Sequence, residues 1–318
     1  MKGTVHRSQG GIYQVRLESG RTVEASLRGR LKQEARTGDR VVIGDEVEVT
    51  LGPEDSATIE TVAERDTEIV RRGPGGRRPK VVAANVDRMV VVAAAARPEP
   101  RQILLDRLLV VGEANGLESI VVLNKVDLIR GTGGERGILR EGVPLDALPF
   151  FSHLSRLYRQ IGYPVFETSV VSGEGIDALA RVLCAGTSAL VGPSGVGKSS
   201  LLNAIEPDLE LRTGELSHRV GRGRQTTVSA RLITLPCGGT VADTPGFSDV
   251  GLWGVDQREL ERCFPEFDPA REECQFRGCS HLHEPNCGVQ AALARKEIDP
   301  VRFSSYRNLA EEAKSLSA

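Results

Sequence analysis

Apolar and polar residues alternate in short runs over roughly the first 70 positions of the chain. The runs are Ile12–Leu17, Thr22–Leu27, Val41-Val-Ile43, Glu46-Val-Glu-Val49 and Ala57-Thr-Ile-Glu-Thr-Val62. Glycines and charged turns separate them, so the pattern predicts five short strands. Five strands in this length fit a small all-β barrel of the OB-fold type, with an SH3-like barrel as the near alternative. A basic stretch follows, Arg71-Arg-Gly-Pro-Gly-Gly-Arg-Arg-Pro-Lys80. It has no apolar residue and reads as a mobile loop or linker.

The period then changes. Apolar strands are expected at Arg88–Ala94, at Ser119-Ile-Val-Val-Leu-Asn124, at Pro164-Val-Phe-Glu-Thr168 and at Thr187–Val191. Helical patterns lie between them, around Ile103 to Val111, over residues 152–161 and from Ile176 to Cys184, and another helix begins at Lys198. Gly131-Thr-Gly-Gly reads as a turn. Alternating strands and helices predict an α/β domain with a parallel sheet. Arg231-Leu-Ile-Thr-Leu-Pro236 and Gly239-Thr-Val-Ala-Asp243 are close enough to form a hairpin with one antiparallel edge strand. Past Leu252 the chain turns polar and ends in a helical stretch. The expected organisation is therefore multidomain: an OB-fold barrel over residues 1–70 with RNA as its ligand, an α/β P-loop domain over 71–252, and an α-helical, zinc-binding module over 253–318.

Composition narrows the class. Apolar content of 40% and charged content of 26% are ordinary for a globular protein, and a net charge of −2 excludes a uniformly basic nucleic-acid binder. Basic charge is local instead: residues 1–40 hold nine Lys/Arg against four Asp/Glu, and residues 71–80 and 212–231 are also basic. A barrel, a basic linker and a metal module in one chain favour RNA contact, mainly to phosphates and hence salt-sensitive. No apolar run is long enough to cross a bilayer, and the start has no apolar signal core, which points to the cytoplasm. In that reducing setting, three of the six cysteines read as a metal cluster, and the scattered Cys184, Cys237 and Cys263 as thiols.

The densest chemistry is the segment Gly192-Pro193-Ser194-Gly195-Val196-Gly197-Lys198-Ser199-Ser200, which follows an apolar strand and opens a helix. In that context the glycines let backbone N–H groups wrap phosphate oxygens, Lys198 reaches the β- and γ-phosphates, and Ser199 ligates Mg2+. Asn124-Lys125-Val126-Asp127 ends the Ser119–Asn124 strand. The Asp127 carboxylate can accept from N1 and N2 of guanine, a donor pair that adenine lacks; Asn124 can meet the O6/N7 edge, and the Lys125 stem can lie along the base. Ligands gather at such strand ends. Ser169, in Thr168-Ser-Val-Val-Ser172, is placed to support the base. Asp243-Thr-Pro-Gly246 supplies the other phosphate-side element, with Asp243 toward Mg2+ and the Gly246 N–H toward the γ-phosphate. Gln225-Thr226-Thr227, in a glycine- and arginine-rich segment, suits a switch loop that orders with GTP, with Thr226 or Thr227 on Mg2+. Phe247 stands where many GTPases carry a water-orienting glutamine, which predicts slow turnover by the free protein.

The order of these motifs is inverted. The guanine-reading tetrapeptide precedes the phosphate loop, whereas an ordinary GTPase has it after, so the domain is circularly permuted. A P-loop kinase or transport ATPase does not account for Asn-Lys-Val-Asp, and the chain has no Leu-Ser-Gly-Gly-Gln signature. A GTP-dependent RNA-binding switch with little catalysis is the other alternative. Farther on, Cys274-x4-Cys279-x-His281-x5-Cys287 offers three thiolates and one imidazole, enough to close a tetrahedral, structural Zn2+ site, with His283 as a rival imidazole.

These residues together resemble the circularly permuted, ribosome small-subunit-dependent GTPases of bacteria. The resemblance spans nearly the whole chain: the barrel, Ala84-Asn-Val-Asp-Arg88, the two nucleotide motifs, Asp243-Thr-Pro-Gly-Phe247, Phe264-Pro-Glu-Phe267 and the cysteine cluster with His283-Glu-Pro285 inside it. It implies a GTPase acting late in 30S subunit maturation, bound near the decoding region of 16S rRNA and stimulated by the subunit. It also implies Cys274, Cys279, His281 and Cys287 as the zinc ligands, with His283 outside. Such a factor needs to be no more than a monomer. One departure concerns catalysis: many members have His-Thr-Thr-Thr in the switch segment, where this chain has Gln225-Thr-Thr-Val228, so Gln225 becomes the candidate for orienting the attacking water, with Lys198 on the phosphates.

Overall fold

The structure is a computed structural model that describes residues 1–29, 31, 41–53, 56–72, 79–130, 147–209, 230–243, 255 and 257–317. The chain divides into two compact units, one of residues 1–88, 181–190 and 220–249, the other of residues 89–180, 191–219 and 250–318.

The first unit is built on five strands, β1 (Lys2–Gln9), β2 (Ile12–Leu17), β3 (Thr22–Leu27), β4 (Glu46–Leu51) and β5 (Ser56–Val62). They pair in the order β1-β2-β3-β5-β4, and β4 closes back on β1. All neighbours are antiparallel except β3 and β5. This is the OB-fold order rather than an SH3-like one. Alternation drives it: Val15, Leu17, Val23, Ala25, Val47 and Ile59 point inward and are nearly inaccessible, while their neighbours face water.

Two sequence expectations need correction here. The barrel has five strands, but Val41-Val-Ile43 is not one of them. These residues are buried without a ladder, and Ile43 makes only an isolated bridge to Ala83. The missing strand is β1, whose lone inward apolar residue, Val5, left no visible period. The basic stretch is likewise not all linker. β6 (Glu68–Arg72) and β7 (Pro79–Ala84) form an antiparallel pair in which Arg71 opposes Lys80. Ladder bonds belong to the backbone, so a strand can form without apolar side chains. Residues 73–78 lie outside the described part.

The remaining elements follow in chain order as β8 (Arg88–Ala94), α1 (Gln102–Ala114), β9 (Glu118–Asn124), α2 (Asp127–Arg130), α3 (Ala147–Ile161), β10 (Val165–Thr168), α4 (Ile176–Leu183), β11 (Thr187–Val191), α5 (Lys198–Ile205), β12 (Arg231–Thr234) and β13 (Thr240–Asp243). In the first unit β13 pairs parallel with β11 and antiparallel with β12. β12 is not an edge as expected, because its Arg231 pairs with Arg7 of β1. Cys184, just past α4, is bonded to Cys237 in the β12–β13 turn, so two of the expected thiols form a disulfide. They are 53 residues apart, and only the turn's placement beside that helix end joins them. The predicted turn at 131 falls outside the described residues.

In the second unit β10 pairs parallel with β9 in register Thr168 to Asn124, which sets two strand ends side by side. α6 (Gln257–Arg262), α7 (Asp268–Arg271), α8 (Gly288–Ala294) and α9 (Pro300–Ser317) complete it. Their core is continuous with α1: Val110 packs in one cluster with Leu260, Phe264, Phe267, Val289, Tyr306 and Leu309. The C-terminal helices therefore share one core with α1. Beneath this core lies a buried ion network. Arg302 of α9 reaches Asp106 of α1 and Glu266 at 2.7 and 2.6 Å, and both Arg302 and Asp106 are fully buried. The Tyr158 hydroxyl donates to the same Asp106 oxygen at 2.7 Å, and the Arg302 guanidinium lies 4.3 Å from the centre of the Phe264 ring. Among the described residues no helix is long and apolar enough to cross a membrane.

Candidate functional site

β11 runs directly into the phosphate loop, and three backbone conformations shape that loop. Gly192, Gly195 and Gly197 all have positive φ. At Gly192 a β-carbon would lie 2.1 Å from the Val92 carbonyl oxygen, and at Gly197 it would lie 2.4 Å from Nδ2 of Asn124. Side chains are excluded at both points by sterics as well as by φ. Val196 is buried and anchors the loop, whereas Ser194 and Gly195 are exposed at its rim. Lys198 opens α5 with its Nζ 2.7 Å from the Gly192 carbonyl and 3.0 Å from that of Pro193, inside the curl. Ser199 and Ser200 follow, half-buried on the first turn. A Gly197→Ala variant should lose most nucleotide affinity while keeping its fold; equilibrium binding of a fluorescent GDP checks this, and wild-type affinity would contradict the steric account.

The residues of the Asn124–Asp127 motif converge on the same loop. Asn124 is 1% exposed, and both ends of its amide are engaged: Nδ2 donates to the Val196 carbonyl at 2.9 Å, and Oδ1 accepts from Thr168 Oγ1 at 3.0 Å. The geometry makes Asn124 a brace between phosphate loop and β10. Lys125 adopts left-handed φ and stretches over the loop, its Nζ 2.6 Å from the carbonyls of both Gly195 and Arg97. Burial lowers the Lys125 pKa, against an opposing pull from Asp127. Asp127 accepts a 2.6 Å hydrogen bond from the Ser169 hydroxyl, and the two are nearly inaccessible at 5% and 0%. One carboxylate aimed beside a phosphate cradle, held by a serine from the neighbouring strand end, can select a base that presents two adjacent N–H donors.

Asp243 ends β13 in the other unit, as its motif requires of a strand end. Gln225, Thr226, Thr227, Gly246 and Phe247 lie outside the described residues.

Residues 62–253 match the RsgA GTPase family, and residues 2–59 match the RsgA N-terminal domain. The chain belongs to the RsgA GTPase family. It is 42% identical over 313 residues to the small ribosomal subunit biogenesis GTPase RsgA of Gemmatimonas aurantiaca, covering 98% of this chain and 96% of that protein. The protein of the same name from Moorella thermoacetica is 41% identical over 307 residues, at 96% and 95% coverage. Two solved structures are similar throughout: YjeQ from Thermotoga maritima (TM-score 0.76, 32% identity, 98% of each chain) and YloQ, a circularly permuted GTPase (TM-score 0.73, 31% identity, 99% of this chain and 95% of that one). Membership makes the chain a GTP-hydrolysing enzyme and accounts for the inverted motif order.

Like the phosphate loop, the cysteine cluster of this RsgA-family chain is assembled as its spacing implied. Ligand atoms of Cys274, Cys279, His281 and Cys287 all lie within 4.8 Å of one another. His281 Nδ1 faces the sulfurs of Cys287 and Cys274 at 3.3 and 3.6 Å. Its Nε2 lies 3.1 Å from a Glu261 carboxylate oxygen. That orientation fixes which ring nitrogen is offered to a metal, a role the cysteine spacing could not reveal because Glu261 is on α6. His283 is exposed and outside the group. The fit to a metal ion is good: burial pushes the Cys279 and Cys287 thiols up, a cost that a bound cation would remove. Cys263 is a separate buried thiol that donates to the Glu259 carbonyl at 3.2 Å, and burial raises its pKa to about 12.

Proposed function

We propose that this enzyme binds the small ribosomal subunit, assists its late maturation, and hydrolyses GTP in response to the subunit. The observation that carries the nucleotide half is the Asp127–Ser169 pair set beside Lys125 and the phosphate loop. The relatives named as small ribosomal subunit biogenesis GTPases support the ribosomal half. The barrel and the basic residues of the N-terminal 40 positions would meet 16S rRNA phosphates, so binding should weaken as salt rises. The cytoplasm is the compartment that fits such a partner, and a monomer suffices.

In this reading Lys198 and the loop N–H groups hold the β- and γ-phosphates. Ser199 and Thr226 or Thr227 would hold Mg2+, with Asp243 toward it, and the ion would supply neutralisation of charge on the transferred group. Asp127 reads the guanine edge. Gln225 orients the attacking water in the ribosome-bound enzyme, since Phe247 has no group for that task. Cys274, Cys279, His281 and Cys287 would hold one structural Zn2+, for which three thiolates and an imidazole are the appropriate donors.

The direct test is GTP hydrolysis with and without isolated 30S subunits, using ATP as the control and Gln225→Ala as the variant. Strong stimulation confined to GTP and lost in Gln225→Ala is expected. Binding of GTP without stimulation would remove the ribosomal role; stimulation unchanged in the variant would remove Gln225. Asp127→Asn should weaken GTP binding by about 10- to 100-fold, the range for losing hydrogen bonds to a charged acceptor. It should improve binding of XTP, whose C2 oxygen accepts where guanine donates.

A further inference from the structure

Asp127 opens a helix of only four residues, and Arg130 closes it one turn later. From there the Arg130 guanidinium spans the neighbouring strand end. One of its nitrogens pairs with Glu167 and the other with Glu174. Glu167 precedes Thr168, the last residue of β10, Ser169 follows directly, and the Glu174 carbonyl accepts from the Ser169 N–H at 3.0 Å. Arg130 therefore grips both ends of the segment that carries Ser169. On the inner side the same two segments meet through the Ser169 hydroxyl on Asp127, at 2.6 Å, and through the Val126 N–H on the Thr168 carbonyl, at 3.1 Å. We propose that Arg130 is a positioning residue for guanine recognition, a clamp that fixes the Asp127 helix and the Ser169 segment against each other so that the base-reading carboxylate keeps its aim.

The anchor of the clamp is itself braced. The second Glu167 oxygen accepts from the Ser155 hydroxyl at 2.5 Å and from Arg159 at 3.1 Å, both on α3, and the Phe151 ring lies 5.5 Å from the guanidinium carbon. Burial would raise the Glu167 pKa, but the hydrogen bonds from Ser155 and Arg130 outweigh it and keep the carboxylate ionised. The side chains of Arg130, Glu167 and Glu174 are 37%, 18% and 45% exposed. Ion pairs that open to water add little to global stability, so removing this one should leave the fold standing. Its effect is geometric, because small errors in placing a hydrogen-bonding group are costly to recognition. A planar fork is required for two carboxylates on different segments, which a lysine cannot supply.

The proposal rests on Asp127 reading guanine, and the test separates the two ideas. Affinities for GDP and IDP are measured for wild type, Arg130→Ala, Arg130→Lys and Glu174→Gln. IDP lacks the 2-amino group, so the GDP/IDP ratio reports how well Asp127 is aimed. Wild type should favour GDP clearly; equal affinities would overturn the base-reading role itself. Arg130→Ala should weaken GDP binding by about tenfold and IDP binding far less, so that the ratio collapses. In 30S-stimulated hydrolysis KM for GTP should rise with kcat at saturation unchanged, and the thermal midpoint should stay within a degree or two, as for an exposed pair. Arg130→Lys should behave like the alanine variant, whereas Glu174→Gln, which keeps a hydrogen-bond acceptor, should stay near wild type. A wild-type GDP/IDP ratio in Arg130→Ala overturns the clamp. So does an equal loss of GDP and IDP accompanied by a fallen thermal midpoint, which marks a merely structural residue.

Discussion

Stripping the metal from the cysteine cluster should unfold the segment from Cys263 to Ala294, and a single substitution at Cys279 or Cys287 should do the same. Three thiols and an imidazole are packed within 4.8 Å, and Cys279, Cys287 and His281 are 4%, 5% and 1% exposed. Phe264, Phe267 and Val289 tie the segment to the core shared with α1 and α9, but its own helices are short. α7 and α8 have four and seven residues, too short to persist alone. Cys287 also caps α8 by accepting from the Gln290 N–H, so one ligand organises both metal site and helix. Structural Zn2+ contributes on the order of 10–16 kcal/mol in isolated zinc fingers, more than a domain's usual stability margin. Elemental analysis should find one zinc per chain in wild type and in His283→Ala, and none in Cys287→Ala. Glu261→Gln should retain the metal with roughly 10- to 100-fold lower affinity, the usual cost of losing the partner that orients a ligating histidine. Retention of zinc by Cys287→Ala, or a melting curve unmoved by chelator, would defeat this account. Because α9 and α1 share the module's core, hydrogen exchange in α1 should also quicken when the metal is removed.

Arg302→Ala should be the most damaging single substitution away from the metal. Burial alone would drive the Arg302 charge off, but Asp106 and Glu266 more than offset it, and the guanidinium stays ionised. Truncation strips the fully buried Asp106 of its cation and leaves it beside Tyr158, whose own ionisation is suppressed by burial and by the same carboxylate. Removing one partner of a buried pair costs about 3–5 kcal/mol, whereas a well-packed apolar replacement of the whole pair is often near neutral. The truncation also opens a void beneath Phe264. Arg107→Ala is the internal control: it breaks the Arg107–Glu312 pair between the same two helices, but that pair is 26% and 31% exposed and should contribute no more than about 1 kcal/mol. Denaturant unfolding of the two variants, compared at equal slope, decides the matter; equal losses would show that burial of the network is irrelevant. Combining Arg302→Met with Asp106→Asn and Glu266→Gln should recover much of the loss.

The sequence by itself determined the chemistry whose geometry is local. A phosphate loop needs its glycines, lysine and serine in one unbroken run, because adjacent backbone N–H groups form the cradle, and that run was readable at Gly192 to Ser199. The cysteine cluster was readable for the same reason: its four ligands lie within one short segment, so spacing alone brings them within reach. Motif order likewise exposed the permutation. What the tertiary structure decided are contacts between residues far apart in the chain. β1 was invisible because a strand closed into a barrel by backbone pairing can stand on one buried valine. Cys184 met Cys237 because a turn was placed beside a helix end. Asn124, read from sequence as a base contact, also bonds Thr168, set beside it by the parallel pairing of β9 with β10, and the Val196 carbonyl of the phosphate loop. Arg130, Glu261 and Arg302 belong to no motif. Each acts through a partner on another element, and the distance between elements is set by packing of the whole core, a quantity that no local pattern of residues carries.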